Sequence, residues 1–173
     1  MSIRGKDAEA FIEAARRAGL PITEQGVNVA ALTGDTDTDT KGTPLPSCRV
    51  KPGVYLIGVA TASESNTRGH WSKRNGRKAG QMRAVSGVLG RHLKELAPIA
   101  EHYHQGGTIN ITLTRLAPRM LDKANLYAAM KGIEDICALI CGANDGDPRW
   151  KLECGQEKSE RVGVRIELQP AEA

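Results

Sequence analysis

TINITLTRLAPRMLDKANLYAAMKGIEDICALICGANDGDPRW, residues 108–150, sets two periodicities back to back and closes on a turn. In TINITLTRL (108–116) Ile109, Ile111 and Leu113 fall on one face and the threonines and Asn110 on the other, the period of a strand. From about 123 to 141 the apolar residues Leu126, Met130, Ile133, Cys137 and Ile140 follow at offsets of four, three, four and three, which predicts a helix. ANDGDPRW (143–150) then gathers Asn, Asp, Gly and Pro, the residues that turns use.

The flanks extend the pattern. RWKLEC (149–154) alternates again, and VGVRIEL (162–168) places Val162, Val164, Ile166 and Leu168 on one face. Upstream, VYLIGVA (54–60) is a continuous apolar run suited to a buried strand. Met82, Val85, Leu89, His92, Leu93 and Leu96 recur at helical spacing over 76–97. The order is β-α-β-α-β-β, which predicts one α/β domain over residues 51–173, with a mixed four-stranded sheet and two main helices. Residues 1–50 read as an N-terminal arm, with a short helix at 7–18 and a solvated linker at 33–47. Asp35, Asp37 and Asp39 have the spacing of a calcium loop, but Thr40 stands where such a loop needs Gly and Pro46 where it needs Glu. The calcium reading fails.

At 173 residues the chain suffices for one domain with a full core. The N-terminus lacks the apolar core of a signal peptide, and no run reaches the roughly 18 apolar residues of a membrane span. The expectation is a cytoplasmic protein that binds no membrane, with Cys48, Cys137, Cys141 and Cys154 as free thiols. Cys137 and Cys141 read as small buried residues rather than zinc ligands, because the paired C-x-x-C knuckles are missing. Six aromatic residues are too few for a protein that grips single strands by base stacking.

The net charge of +4 matters through its distribution. From Asn66 to Lys94 the basic residues are Arg68, Lys73, Arg74, Arg77, Lys78, Arg83, Arg91 and Lys94, with no acidic residue among them. Such single-sign clustering beside glycines and asparagines predicts an anionic partner, and a nucleic-acid backbone is the first candidate. The carboxylates cluster downstream. Asp122 precedes the second helix, Lys131 and Asp135 share one of its faces, and Asp145 and Asp147 lie in the following turn. Each has a plain structural role open to it: a helix cap, an i,i+4 pair, a turn. Together, beside a basic loop, they predict a site for a hard divalent ion and a phosphate.

LDKANLYAAMKGIEDICALICGANDGDPRW resembles the RusA-type Holliday-junction resolvases, including the RusA-like proteins of phages and prophages. Their signature is D-x-D-N-L near a strand end, a helix carrying Lys and Asp, and an acidic turn before the next strand. Asp122 matches the first Asp, Asn125 and Leu126 the N-L, Lys131 and Asp135 the helical pair, and Asp145 and Asp147 the turn. ATASESNTRGHWSKR (60–74) resembles the segment in which a Ser-Asn pair and basic residues precede the first helix. The resemblance covers about residues 54–168. It departs from the family at Ala124, which stands where the second Asp of D-x-D-N is expected.

The resemblance implies an Mg²⁺-dependent endonuclease, with Mn²⁺ as a substitute, acting on branched double-stranded DNA in a bacterial host. Asp122, Asp145 and Asp147 would hold the ion, with Lys131 completing the catalytic set. Asn66, Arg68, Lys73, Arg74, Arg77, Lys78 and Arg83 would contact the DNA. A helix over 124–140 is about 25 Å long, which separates Asp122 from Asp145. Three solutions stay open: a helix ending early at Gly132, a loop at 142–147 that folds back, or a homodimer that shares its halves. Ala124 also leaves a second function open, a junction-binding protein that does not cut. A third, in another class, is an assembly protein whose basic loop binds an acidic partner.

Overall fold

The computed structural model describes residues 43–61 and 71–171, with side chains from 43–61 and 76–171, and the backbone of a short antiparallel strand pair, β1 (Ile22–Thr23) and β2 (Gly26–Val27). The expected helix at 7–18 and most of the linker lie outside the described residues. The rest is a mixed α/β fold. Its strands are β3 (Thr43–Pro44), β4 (Cys48–Lys51), β5 (Val54–Ile57), β6 (Ile109–Ala117), β7 (Trp150–Lys158) and β8 (Arg161–Pro170). Its helices are α1 (Trp71–Leu89), α2 (Leu93–His104) and α3 (Lys123–Cys141), with a 3₁₀ turn at Gly90–His92 between the first two.

The sheet has six strands in the order β4-β5-β8-β6-β7, with β3 pairing in parallel to the start of β8. The periodicity predicts four. The two additions, β3 and β4, come from residues that the sequence assigns to the linker and arm, and both are too short to show a period. β6 is the spine of the sheet. It pairs antiparallel with β8 on one side and in parallel with β7 on the other, in register from Ile109↔Trp150 to Ala117↔Lys158. The link from β7 to β8 crosses the end of β6, where the Ser159 N–H donates to the Ala117 carbonyl at 3.0 Å.

All three helices cover one face of the sheet. Ile109, Ile111 and Leu113 of β6 and Val164, Ile166 and Leu168 of β8 are fully or almost fully buried there. They join one core with Val85, Val88 and Leu89 of α1, Leu96, Ile99 and Tyr103 of α2, and Met130, Ile133 and Cys137 of α3. The opposite face carries Asn110, Thr112, Lys151, Glu153, Glu167 and Gln169, none of them buried. No helix among the described residues is long and apolar enough to cross a membrane.

Two features of the helices differ from the expected 76–97 helix. The chain turns at Gly90–His92, and α2 then runs through Pro98 to His104. Because α2 starts afresh at Leu93, Pro98 lies five residues in and costs one backbone bond rather than a helix. α3 runs without a break through Gly132, which serves close packing instead. A Cβ there would stand 2.9 Å from Cγ of Lys78 and 3.3 Å from Oε1 of Gln81 on α1. The missing side chain thus lets α1 cross α3 closely and brings a basic residue of the upstream cluster to the acidic helix.

Candidate functional site

The site grows from that crossing. Lys78 of α1 reaches Asp135 of α3, with Nζ 2.7 Å from Oδ2. One turn earlier on α3, the Lys131 ammonium donates to Glu134 at 2.9 Å, lies 3.2 Å from Asp135, and is in direct contact with Asp145. An ammonium has three protons, and here it meets three carboxylates. Asp145 and Glu134 hold the Lys131 ammonium protonated well above the usual lysine range, and Lys131 in turn pulls the Asp145 carboxyl below the usual carboxylate range. Glu134 is the buried member of the trio, whereas Asp145 is exposed and Asp135 is half-buried. Three carboxylates against two ammonium groups leave one net negative charge.

Asp145 gets there because α3 ends in a tight reversal. Gly142 adopts a left-handed conformation (φ 62°), its N–H donates to Leu139 and that of Ala143 donates to Ala138, so the last carbonyls of the helix are capped. Asn144 then accepts the Gly146 N–H at 3.0 Å, and the loop folds back along the helix. Of the three routes left open by the sequence, the fold-back joins Asp145 to Lys131 and leaves Asp122 apart. Asp122 caps α3, accepting the Asn125 N–H at 2.9 Å, and these bonds lower its carboxyl pKa. From Asp122 to the turn at Glu134 the helix rises roughly 18 Å. Ala124, in the first turn, is exposed.

Asp147 is held elsewhere. Arg149 donates to it from Nε (3.1 and 3.2 Å), Nη2 (2.6 Å) and the backbone N–H (2.8 Å), and the Tyr103 hydroxyl donates at 2.8 Å. The guanidinium also lies 4.5 Å over the Tyr103 ring, which fastens the acidic turn to α2. Arg149 and Tyr103 hold the Asp147 carboxyl far below the ordinary range. A folded-state pKa below the unfolded one stabilises the fold fully above the ordinary value of about 3.9, and that contribution disappears as pH falls. Asp147→Asn is therefore expected to lower the melting temperature at pH 7 and to narrow the gap to wild type by about pH 2.5. A gap of constant size across a calorimetric pH series would contradict this.

Of the residues expected to hold an ion, the structure thus brings Asp145 to Lys131, and places Asp122 and Asp147 in a cap and an arginine clamp. The carboxylate set with oxygens all within 4.8 Å of one another is Glu134, Asp135 and Asp145. Sequence reasoning misses Glu134 because it sits beside the apolar stripe, although its i,i+3 spacing from Lys131 is a usable signal.

Of the expected DNA-contacting residues, Asn66 and Arg68 lie outside the described residues, as do the side chains of Lys73 and Arg74. Arg77, Lys78 and Arg83 are on α1 and half-buried. A further residue escapes the sequence reading: Arg115, which is 4% exposed at the end of β6. It donates from Nε to the Thr61 carbonyl (3.2 Å) and hydroxyl (2.9 Å), and from Nη1 to the Arg119 carbonyl (2.5 Å). Burial lowers its pKa. It ties the end of the β5 segment, where the basic stretch begins, to the loop before Asp122. Its place in the alternation, two residues after Leu113, marks it as facing the core.

No family model matches the chain, and neither a curated protein nor a solved structure matches it.

Proposed function

We propose that the protein is a structure-selective endonuclease of the RusA type that cuts branched double-stranded DNA, such as a four-way junction, by divalent-metal-assisted hydrolysis. The observation that carries this reading is the convergence of Glu134, Asp135 and Asp145 beside Lys131 and beside Lys78 of α1. On this reading the β-α-β-α-β-β succession from β5 onward is the nuclease core, residues 1–50 are an appended arm, and the protein works as a homodimer in a bacterial host cell, encoded by a phage or prophage. A hard ion such as Mg²⁺, or Mn²⁺ in its place, suits an all-carboxylate set. When bound, the ion polarises the scissile phosphate and lowers the pKa of a coordinated water.

The chain's own residues divide the remaining work. Glu134, Asp135 and Asp145 supply oxygens. Lys131, whose long stem leaves its tip half-exposed, swings from the carboxylates to the phosphate oxygens and stabilises the charge that develops there. Arg68, Lys73, Arg74, Arg77 and Arg83, with Asn66, bind the backbone of the arms, so affinity falls steeply with salt. Asp122 and Asp147 hold the ends of α3 in place.

A second reading is favoured by a specific observation. Asp122 and Asp147 are both engaged in structural bonds and Ala124 adds no carboxylate, which suits a junction-binding relative without chemistry. One experiment decides. The purified protein is incubated with a labelled four-way junction and a matching linear duplex, with Mg²⁺ or with EDTA. Paired nicks in the junction alone, requiring Mg²⁺ and reduced about 100-fold or more by Asp145→Asn, are expected. Junction binding without nicks under Mg²⁺ or Mn²⁺ would establish the second reading.

A further inference from the structure

The outward face of α3 carries a row of side chains that the acid trio does not use up. Lys123, Tyr127 and Lys131 follow one another at i,i+4 spacing, so they line one side of the helix. Each step is about 6 Å along the axis. All three are exposed, as are Ala124 and Ala128 beside them. Tyr55, Tyr103 and Trp150 are buried in the core, whereas Tyr127 is 39% exposed. Among the described residues nothing bonds its hydroxyl, stacks on its ring or pairs with the Lys123 ammonium. The fold gains little from this ring. Tyrosine is a weaker helix former than alanine, and the core closes on Leu126, Met130 and Ile133 instead. A long helical side chain leans over the turn on its N-terminal side. There the Tyr127 ring meets only the methyl of Ala124 and the stem of Lys123, so a flat face stays open.

The chemistry of the row selects its ligand. Ammonium, aromatic ring, ammonium is the complement of phosphate, base, phosphate along one DNA strand. Bases of any sequence stack on aromatic side chains. Met120, 53% exposed in the loop before the helix, adds apolar surface at the same end, and Arg119 next to it is exposed as well. A base inside a duplex is stacked on both sides, and drawing it out costs free energy. The cost is least for a base that has already lost its neighbour or its partner. At a branch point the stack is interrupted. One ring therefore reads a single displaced base, which does not need the many aromatics of a protein that tracks a whole strand.

We propose that Tyr127 is the residue that recognises the branch: its ring stacks on one DNA base exposed at the branch point, while Lys123 and Lys131 hold the flanking phosphates. The ligand class rests on the nuclease reading, and Tyr127 supplies the feature of the DNA that the site selects. The row also sets position. A base held on Tyr127 places a neighbouring phosphate one helical turn along, at Lys131 and the carboxylates that surround it. An intact duplex keeps its bases stacked and leaves the ring empty, so the same side chain favours branched over linear DNA.

Binding in EDTA separates recognition from cleavage. The full chain is titrated onto a four-way junction and onto a matching linear duplex. Tyr127→Ala should weaken junction binding about tenfold or more and leave duplex binding within about twofold, with wild-type circular dichroism. Tyr127→Phe and Tyr127→Trp should keep the junction affinity, since stacking needs the ring and not the hydroxyl. With 2-aminopurine as the branch-point base, wild type should quench its emission and Tyr127→Ala should not. Lys123→Ala should instead weaken both DNAs and reduce the salt slope by about one, a slope that Tyr127→Ala leaves unchanged. Junction affinity indifferent to Tyr127→Ala, or equal losses on junction and duplex, would overturn the platform and leave the nuclease reading standing. A ring that serves a protein partner would give the first of these results. A junction bound through Tyr127 but never nicked under Mg²⁺ would uphold the platform and remove the nuclease. Binding of neither DNA would overturn both.

Discussion

Lys131→Met should melt at lower temperature than the wild type in EDTA, and divalent ions should restore much of the loss. The ammonium is the shared partner of Glu134, Asp135 and Asp145, and Glu134 is buried. Without it, three carboxylates face one another with Lys78 alone as counter-charge. Breaking a fully buried pair costs about 3–5 kcal/mol, but Lys131 is half-exposed, so a cost of roughly 1–2 kcal/mol is expected. For a chain of this size that is about 2–8 °C in the melting temperature. An ion at about ten times its dissociation constant returns about 1.4 kcal/mol. Differential scanning calorimetry with EDTA, Mg²⁺ and Mn²⁺ reads both effects. If the ions stabilise the variant no more than the wild type, the trio is a lysine anchor and not a cation site. On the nuclease reading the same variant should bind junctions but nick them about 100-fold more slowly or worse, since the charge-stabilising group is gone.

Ile133→Ala should cost about 2–5 kcal/mol, or roughly 5–15 °C. Ile133 has no exposed surface and sits in the middle of α3, inside the shared core of helices and sheet. Truncation leaves a cavity that close neighbours such as Met130 and Ile136 cannot fill without breaking the helix geometry. The same substitution should leave the divalent-ion response of the folded protein intact, because Lys131 and the trio occupy a different side of α3. Urea unfolding with and without Mg²⁺ measures the two separately. A loss below about 1 kcal/mol would mean that α3 is not packed as described.

The sequence was most informative where one period ran long enough to leave no alternative. The alternation of Ile109, Ile111 and Leu113 became β6, and the stripe from Leu126 to Ile140 became the buried side of α3. Asp122 and Gly142 bound α3 through local capping chemistry, which needs only neighbours in the chain. β3 and β4 were illegible because strands of two and four residues carry no period, and their pairing partners are distant in sequence. The turn at Gly90–His92 was hidden because the apolar spacing continues across it.

The site divides in the same way. Sequence alone singled out Asp122, Lys131, Asp135, Asp145 and Asp147, since a residue before a helix, opposite charges at helical spacing and a turn beyond them are local facts. Whether Asp145 joined Asp122, Asp147 or Lys131 depended on which way the chain turned after Gly142 and on what waited there. Tyr103 and Arg149 drew Asp147 away, and Lys131 drew Asp145 in. The bare backbone of Gly132 let α1 approach and deliver Lys78, while burial of Glu134 turned an ordinary helix residue into the third member of the trio. Spacing along a chain fixes which side chains share a face. Only tertiary packing decides which faces meet, because a hydrogen bond or ion pair senses ångströms in space and not positions in sequence.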